Sequence, residues 1–234
     1  FYKCTEFYGH LTIPSQVILI GDYAFKECNY FTGNLTIPNN VVRIGVEAFY
    51  FCKKLQSLTI SNSVKSIGEG AFTNCKDLKD NLRLPNLTII ERNLFANCSS
   101  LYGELIIPSS VYQIGISAFY NCNGLKSLII PSEVCIINSR AFYKCYGLTH
   151  LELNDVEIID SEAFYDCYNL CGILTIPKTV EFIGKKAFYS CFMFTELIIN
   201  SDSIRIEDQA FEETSFNVVR YNGSNGISCS DNVF

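Results

Sequence analysis

The chain has 234 residues, 48% of them hydrophobic, and its 18 basic and 24 acidic residues give a formal net charge of -6. This hydrophobic content excludes an intrinsically disordered protein, and no apolar run approaches the roughly 18 residues of a membrane-spanning helix, so we expect no direct membrane insertion. The acidic residues are spread along the chain without a basic run, which disfavours nucleic acid and anionic membranes as partners.

One pattern, L-x-I-P-x-x-V-x-x-I-G-x-x-A-F-x-x-C, recurs along the chain with a spacing of 23 or 24 residues. Its first leucine stands at Leu11, Leu35, Leu58, Leu82, Leu105, Leu128, Leu151, Leu174 and Leu197. Its phenylalanine stands at Phe25, Phe49, Phe72, Phe95, Phe119, Phe142, Phe164, Phe188 and Phe211. Units in register over this length predict a stack of coils, because one unit cannot bury its apolar face alone.

Each unit is predicted to begin with a short strand, since L-x-I alternates apolar and variable residues with the period of a half-buried strand. The strand should end at the next residue, because proline cannot donate to a ladder. All six prolines occupy this position: Pro14, Pro38, Pro85, Pro108, Pro131 and Pro177. The following bend, with glycine at 21, 45, 68, 115 and 184, is predicted to need a left-handed backbone.

The Ala-Phe-x-x-Cys segment is predicted to form one helical or 3-10 turn on the side opposite the strand. Together these elements predict a β-rich solenoid over residues 1–211, built from about nine coils of 22–24 residues with one parallel strand each. After Phe211 the pattern breaks, because Thr214 replaces the cysteine and residues 222–232 are polar and rich in Gly and Ser. Residues 212–234 are therefore predicted to form an atypical C-terminal end or cap.

Nine of the twelve cysteines follow the repeat phenylalanine by three residues: Cys4, Cys28, Cys52, Cys75, Cys98, Cys122, Cys145, Cys167 and Cys191. We interpret them as small side chains buried between coils, because the Cβ vectors of neighbouring coils run side by side and no C-x-x-C pair suggests a metal site. Cys135, Cys171 and Cys229 lie outside this series, and a bridge from Cys171 to a neighbour stays open. We expect no metal and no cofactor.

The unit Leu105-Ile-Ile-Pro-Ser-Ser-Val111, followed by Ile114-Gly-Ile-Ser-Ala-Phe119-Tyr-Asn-Cys122, closely resembles the BspA-like class of leucine-rich repeats. The resemblance covers about residues 1–211 and implies a leucine-rich-repeat solenoid whose parallel sheet lies on the concave face. It also implies a surface or secreted protein that adheres to host cells or extracellular-matrix proteins. The extra residue before the strand, as in Thr32-Gly33-Asn34-Leu35, is similar to the protozoan variant of the repeat.

In such a solenoid the residue between the two apolar strand positions, and the residue before them, point outward. In the second half of the chain these positions mix isoleucines with carboxylates, which predicts an apolar binding patch with an acidic rim. The predicted partner-binding residues are Glu104, Ile106, Ile129, His150, Glu152, Ile173, Glu196 and Ile198. The alternatives are that isoleucine only favours strands here, or that the patch contacts a cap or further repeats.

A second candidate surface is the tyrosine that follows the repeat phenylalanine at 50, 120, 143, 165 and 189. Exposed tyrosines suit recognition, because they offer a large amphipathic area at low entropic cost. The alternative is that these tyrosines simply cover the flank of the solenoid.

Catalysis is not expected. His10 and His150 would be six coils, or roughly 30 Å, apart. The carboxylates of Glu104, Glu152 and Glu196 would be about 10 Å apart on an open face, at or beyond the upper edge of the spacing in glycosidases. The chain carries no nucleophile elbow, P-loop or dinucleotide motif.

The sequence therefore favours a protein-binding module of a cell-surface or secreted adhesion protein, which binds a host or matrix protein across the concave sheet. One alternative is a cytoplasmic scaffold that organises a partner protein and keeps its cysteines reduced. Another is a structural stalk without a ligand of its own. Because Phe1 already falls inside a repeat unit, we expect the chain to be an excised or processed piece, so a missing signal peptide does not decide the localisation.

Overall fold

A computed structural model describes residues 8–79 and 81–234. The predicted β-solenoid is confirmed: these residues contain 18 strands, and all their ladders are parallel. However, most coils contribute two strands rather than one. The strands form two layers, here called the first sheet and the second sheet, which consist of three and two separate ladders, with the apolar core between them.

The first sheet contains seven of the nine predicted L-x-I strands. Residues 11–13 form no strand, and in the unit that begins at Leu82 only Arg83 makes an isolated bridge, to Ile106. The members of the first sheet are β2 (Gly33–Ile37), β4 (Leu55–Ile60), β7 (Gly103–Ile106), β9 (Leu125–Ile130), β11 (His150–Leu153), β13 (Cys171–Ile176), β15 (Met193–Ile199) and β17 (Val218–Tyr221). Its ladders form three blocks, β2–β4, β7–β9–β11 and β13–β15–β17. Each gap between blocks adjoins one of the two units, 82–95 and 151–164, that are one residue short between Leu and Phe.

The second sheet was not predicted. Its strands are β1 (Leu19–Ile20), β3 (Arg43–Ile44), β5 (Ser66–Ile67), β6 (Ile89–Ile90), β8 (Gln113–Ile114), β10 (Ile136–Ile137), β12 (Ile158–Ile159), β14 (Phe182–Ile183), β16 (Ile204–Ile206) and β18 (Ile227–Cys229). Most contain two residues, of which the second is a buried isoleucine. A strand this short has no alternation that could be recognised in a sequence.

The core is organised around the repeat phenylalanines. From Phe25 to Phe211 their rings stack in one column, with centroids 5.2–5.8 Å apart and planes within 10° of parallel. Apolar strand residues such as Leu128 and Ile130 pack beside this column and are fully buried. Each coil thus covers the apolar face of the next, as expected for a solenoid.

The helical or 3-10 turn predicted at Ala-Phe-x-x-Cys is wrong, because the described residues contain no helix. In the sixth coil, Arg140 and Lys144 both have a φ of 58°, in the left-handed region that interrupts a right-handed helix. The backbone therefore alternates between two kinds of hydrogen bond. The Phe142 N–H donates to the Ala163 carbonyl of the next coil at 2.8 Å, whereas the Tyr143 N–H closes a local turn with the Arg140 carbonyl at 3.1 Å.

The left-handed residues thus precede the alanine and the cysteine of the unit, and not the bend where glycine recurs. Gly45 and Gly184 have another role: a Cβ on Gly45 would lie 2.4 Å from the Asp22 nitrogen, and one on Gly184 would lie 2.5 Å from the Ser161 nitrogen. Glycine at this position lets the backbones of stacked coils approach closely.

Residues 212–234 add a further coil to the stack. β17 pairs with β15 and β18 pairs with β16. The Phe211 N–H donates to the Val233 carbonyl at 2.9 Å, and Phe234 stacks on Phe211 at 5.7 Å, so Val233 and Phe234 take the positions of the repeat Ala-Phe pair. The fold therefore continues after the consensus pattern has ended.

Replacing Phe142 with alanine should lower the free energy of unfolding by about 3–5 kcal/mol, because the ring is fully buried and stacks on both neighbours at 5.4 Å. Urea denaturation followed by circular dichroism measures this. Tyr112→Ala, at an exposed tyrosine, is the control and should cost about 1 kcal/mol or less. Equal midpoints for the two variants would contradict the assignment of the core.

The left-handed positions can be tested at Ser117, which has a φ of 55°. Ser117→Val should lower the free energy of unfolding by about 1–2 kcal/mol, because a β-branched residue tolerates this region poorly, whereas Ser117→Asn should be nearly neutral. Ile116→Val is the neighbouring control and should also be nearly neutral. The same denaturation assay reports all three, and a neutral Ser117→Val would argue against the observed turn.

Candidate functional site

The eight predicted partner-binding residues lie on five consecutive strands of the first sheet, from β7 to β15. Their side chains occupy the outward positions, while the leucines between them are buried or partly buried. Ile106 and Ile173 are 47% and 55% exposed, and Ile129 and Ile198 are partly buried. The outward face therefore carries apolar side chains in contact with solvent.

Strand register divides these residues into separate groups. Ile106 pairs with Ile129, and Ile129 pairs with Glu152 in the next strand. In the following block, Ile173 pairs with Glu196, while Ile198 lies two residues further along the same strand. Ile106 and Ile129 thus form the one cross-strand pair among the four isoleucines. Ile173 lies beside Glu196 and Ile198 lies beside Thr175, on strands beyond Glu152.

Two of the three predicted carboxylates are engaged in ion pairs or hydrogen bonds. Glu152 Oε1 lies 2.9 Å from His150 Nε2, and Glu196 Oε1 lies 2.7 Å from Arg220 Nε. Sequence reasoning missed Arg220, which lies on β17 beyond the consensus pattern. Only the period of 22 or 23 residues would have placed it beside Ile198. The acidic rim of the face is therefore weaker near β15 than the sequence suggests.

The flank tyrosines form a stack of their own. Tyr120, Tyr143, Tyr165 and Tyr189 lie in one column, with successive centroids 5.0, 4.7 and 4.7 Å apart. Lys186 Nζ lies 5.0 Å from the Tyr189 centroid. Because the ring faces pack on one another, mainly edges and hydroxyl groups remain for a partner. This arrangement agrees with the alternative that the tyrosines cover the flank.

A second aromatic column was missed. Tyr146, Tyr168 and Phe192 stack at 4.8 and 5.8 Å, and Phe192 is exposed. The signal was present in the sequence, since the residue after the repeat cysteine is aromatic in three consecutive coils. Tyr50, in contrast, stacks on its neighbour Phe51.

The last coil is joined to the tyrosine column through Glu213. Its hydrogen bond with Tyr189 raises the pKa of that phenol to about 12, and Ser190 Oγ donates to Glu213 Oε2 at 2.5 Å. The pKa of the Glu213 carboxyl is lowered mainly by the hydrogen bond from Ser190 and also by the hydrogen bond from Tyr189. These contacts stabilise the fold and leave the carboxylate engaged.

The repeat cysteines have a defined structural partner. Seven of the thiols donate to the carbonyl of the phenylalanine one coil earlier at 3.1–3.3 Å, and these donors are Cys52, Cys75, Cys98, Cys122, Cys145, Cys167 and Cys191. Burial raises the pKa of these thiols, to about 12 for Cys145, so they stay protonated at neutral pH. Cys4 lies outside the described residues.

The remaining cysteines lie at the surface. Cys171 and Cys229 are exposed, Cys135 is partly buried, and the Cys171 thiol donates to the Thr149 carbonyl at 3.4 Å. Cys135, Cys171 and Cys229 form no disulfide. Within residues 8–79 and 81–234, no group of His, Cys, Asp and Glu side chains has the arrangement of a metal site. In the same part of the chain, no helix has the length and apolarity of a membrane span.

N-ethylmaleimide at pH 8 should label Cys135, Cys171 and Cys229 in the native protein, and Cys122 and Cys145 only after denaturation. The reason is that the reacting species is the thiolate, and burial both raises the pKa of the repeat thiols and blocks access to them. Peptide mapping by mass spectrometry identifies the labelled sites. Rapid native labelling of Cys145 would contradict the buried ladder.

Comparisons with known proteins agree with this architecture. The family model described as "BspA type Leucine rich repeat region" matches in six copies, over residues 1–103 and 88–218. A leucine-rich repeat protein from Bacteroides ovatus is 27% identical with a TM-score of 0.69, over 97% of this chain and 70% of that one. A leucine-rich repeat protein of T. pallidum is 28% identical with a TM-score of 0.61, over 68% of this chain and 76% of that one.

A leucine rich cell surface protein from Faecalibacterium prausnitzii shares the fold, with 21% identity and a TM-score of 0.54 over 91% of this chain and 87% of that one. No curated protein matches the chain.

Proposed function

Since the chain belongs to the BspA-type leucine-rich repeat family, we propose that it is the protein-binding module of a cell-surface or secreted adhesion protein. Its partner is a host-cell or extracellular-matrix protein, which binds across the outward face of the first sheet. The description of the similar Faecalibacterium prausnitzii protein as a cell surface protein supports this localisation. The module acts by binding and not by catalysis.

The observation that carries the proposal is the solvent exposure of the first-sheet isoleucines. Ile106 and Ile129 are cross-strand neighbours, and Ile106 is 47% exposed, so they form a contiguous apolar pair on this face. Apolar groups with a polar surround are typical of protein interfaces. Glu104 on β7, and His150 and Glu152 on the neighbouring β11, supply the polar surround.

A second candidate function is a cytoplasmic scaffold. The observation that favours it is the state of the cysteines, because exposed Cys171 and Cys229 are both unpaired and free exposed thiols are typical of reducing compartments. Antibody labelling of intact and permeabilised cells separates the two localisations. Labelling that requires permeabilisation would favour the scaffold.

The double variant Ile106→Lys/Ile129→Lys should reduce binding to the partner by about tenfold or more, because it places charge at the centre of the apolar pair. Binding is measured on intact epithelial cells by flow cytometry and on a panel of purified matrix proteins by biolayer interferometry. Ile116→Lys is the matched control, since Ile116 is also exposed but lies outside the first sheet.

The control should bind like the original protein. Equal binding by the double variant and the control would place the partner elsewhere, and no binding by the folded original would favour a stalk.

A further inference from the structure

The two short units differ from the others in the turn after the first-sheet strand. Most units have two residues between the proline position and the next buried Val or Leu, whereas units 82–95 and 151–164 have one. In the first of these, the Leu87 N–H closes a tight turn with the Pro85 carbonyl at 2.7 Å. The shortened turns lie on the same edge of the first sheet.

The missing residue uncovers part of the core. The second apolar strand residue is fully buried in the neighbouring units, as at Ile130 and Ile176 with 0% exposure. Its equivalents in the short units, Leu84 and Leu153, are partly exposed and pack at the border of the core. Each deletion thus leaves an apolar side chain open to solvent at the edge of the candidate face.

At Leu153 the result is a notch. The turns of the neighbouring coils, which carry Pro131 and Pro177, line a depression of about 670 Å³ together with Ile129 and Thr175. The notch is therefore continuous with the Ile106–Ile129 pair on the first sheet. Proline rings and aliphatic side chains form a surface that can accept an apolar side chain.

The charge at this notch is negative. Asp155, in the short turn itself, is exposed, whereas Glu152, the cross-strand neighbour of Ile129, is already engaged with His150. Lys178 also lines the notch, but its ammonium group is paired with Asp202 at 3.1 Å. The site thus favours a ligand that combines an apolar group with a positive charge.

The other short unit provides a contrast. Its depression, of about 440 Å³, is lined by Leu84 and Ile106 but carries Arg83 instead of an acidic residue. The same deletion has therefore produced two notches of opposite charge, three coils apart, and only the one at Leu153 suits a cation.

We propose that the notch at Leu153 anchors the partner protein, and that it takes a leucine-like side chain next to a lysine or arginine on an extended segment. This inference rests on the proposed function, since it names the chemistry of the partner at one point of the same face. Asp155 attracts the cation, while Leu153, Ile129 and the two proline rings contact the apolar side chain.

The notch can be tested without the natural partner. The probe is the peptide acetyl-Gly-Leu-Lys-Gly-amide, titrated into protein with labelled methyl groups and followed by NMR. The Leu153 and Ile129 methyl signals should shift and saturate. The same peptide with glutamate in place of lysine should need an about three- to fivefold higher concentration for the same shift, because exposed charge pairs contribute modestly. The original peptide with serine in place of leucine should bind at least as weakly as the glutamate peptide, since it lacks the apolar group.

Two insertions serve as matched variants. A proline inserted between Leu153 and Asn154 restores the common turn length and should abolish the shift at Ile129. A serine inserted between Asn86 and Leu87 restores the other short unit and should leave that shift unchanged. Both insertions follow the turn length of neighbouring coils, and circular dichroism confirms that each variant is folded.

Several outcomes would overturn the inference. They are equal shifts with all three peptides, no shift at Leu153, an unchanged shift after the proline insertion, or concentration-dependent shifts without peptide, which would indicate a second copy in the notch.

Failure of the proposed function gives different results. If binding of a partner is lost with Ile106→Lys/Ile129→Lys but retained after the proline insertion, the proposed function stands and the notch is not the anchor. Absence of any partner removes the function, while the peptide titration still decides the notch.

Discussion

Each coil of this protein depends on the neighbouring coils for its strand ladders, for part of its turn hydrogen bonds and for much of its apolar contact. In the turn segment, alternate N–H groups donate to the following coil, as from Phe142 to Ala163. The phenylalanine rings of the core also depend on neighbouring coils, because each ring stacks on the next with centroids 5.2–5.8 Å apart. A coil without a neighbour would expose both an apolar face and unpaired backbone groups, so the structure is stable only as a stack.

This dependence explains why some positions hardly vary along the chain. A repeat cysteine such as Cys145 fits between coils and donates to the Phe119 carbonyl, which also accepts a backbone hydrogen bond from the Cys122 N–H. Serine would be similar in size but more costly to bury, and alanine would provide no donor. The turn after the first-sheet strand lies outside both sheets, so a residue can be lost there without breaking the Phe column. The two short units show this tolerance.

The sequence predicted the features that repeat with an apolar signature. The L-x-I strands, the buried phenylalanines and the buried cysteines were all read from spacing alone. It did not predict the second sheet, because a pair such as Arg43–Ile44 has no alternation to recognise. The helical turn was wrong because Arg140 and Lys144 adopt left-handed conformations, and neither residue type signals that region.

The candidate face was predictable in its residues but not in its arrangement. Outward positions follow from the strand period, and all eight predicted residues lie on the first sheet. Which of them are neighbours depends on the register between strands, and this register separates Ile106 and Ile129 from Ile173 and Ile198. Likewise, the partner of Glu196 is Arg220, from a coil whose sequence no longer resembles the repeat.

The difference between inward-pointing and outward-pointing residues indicates what kind of ligand the face suits. Residues that point inward are fixed by stacking, so specificity must come from the outward rows and from the turns at the edge of the sheet. These carry the Ile106–Ile129 pair with a notch beside it, the His150–Glu152 pair and the exposed Ile173. A small molecule would reach only one of these features. A protein segment that crosses several coils can contact all of them, and the spacing of the strands then selects its apolar and charged residues.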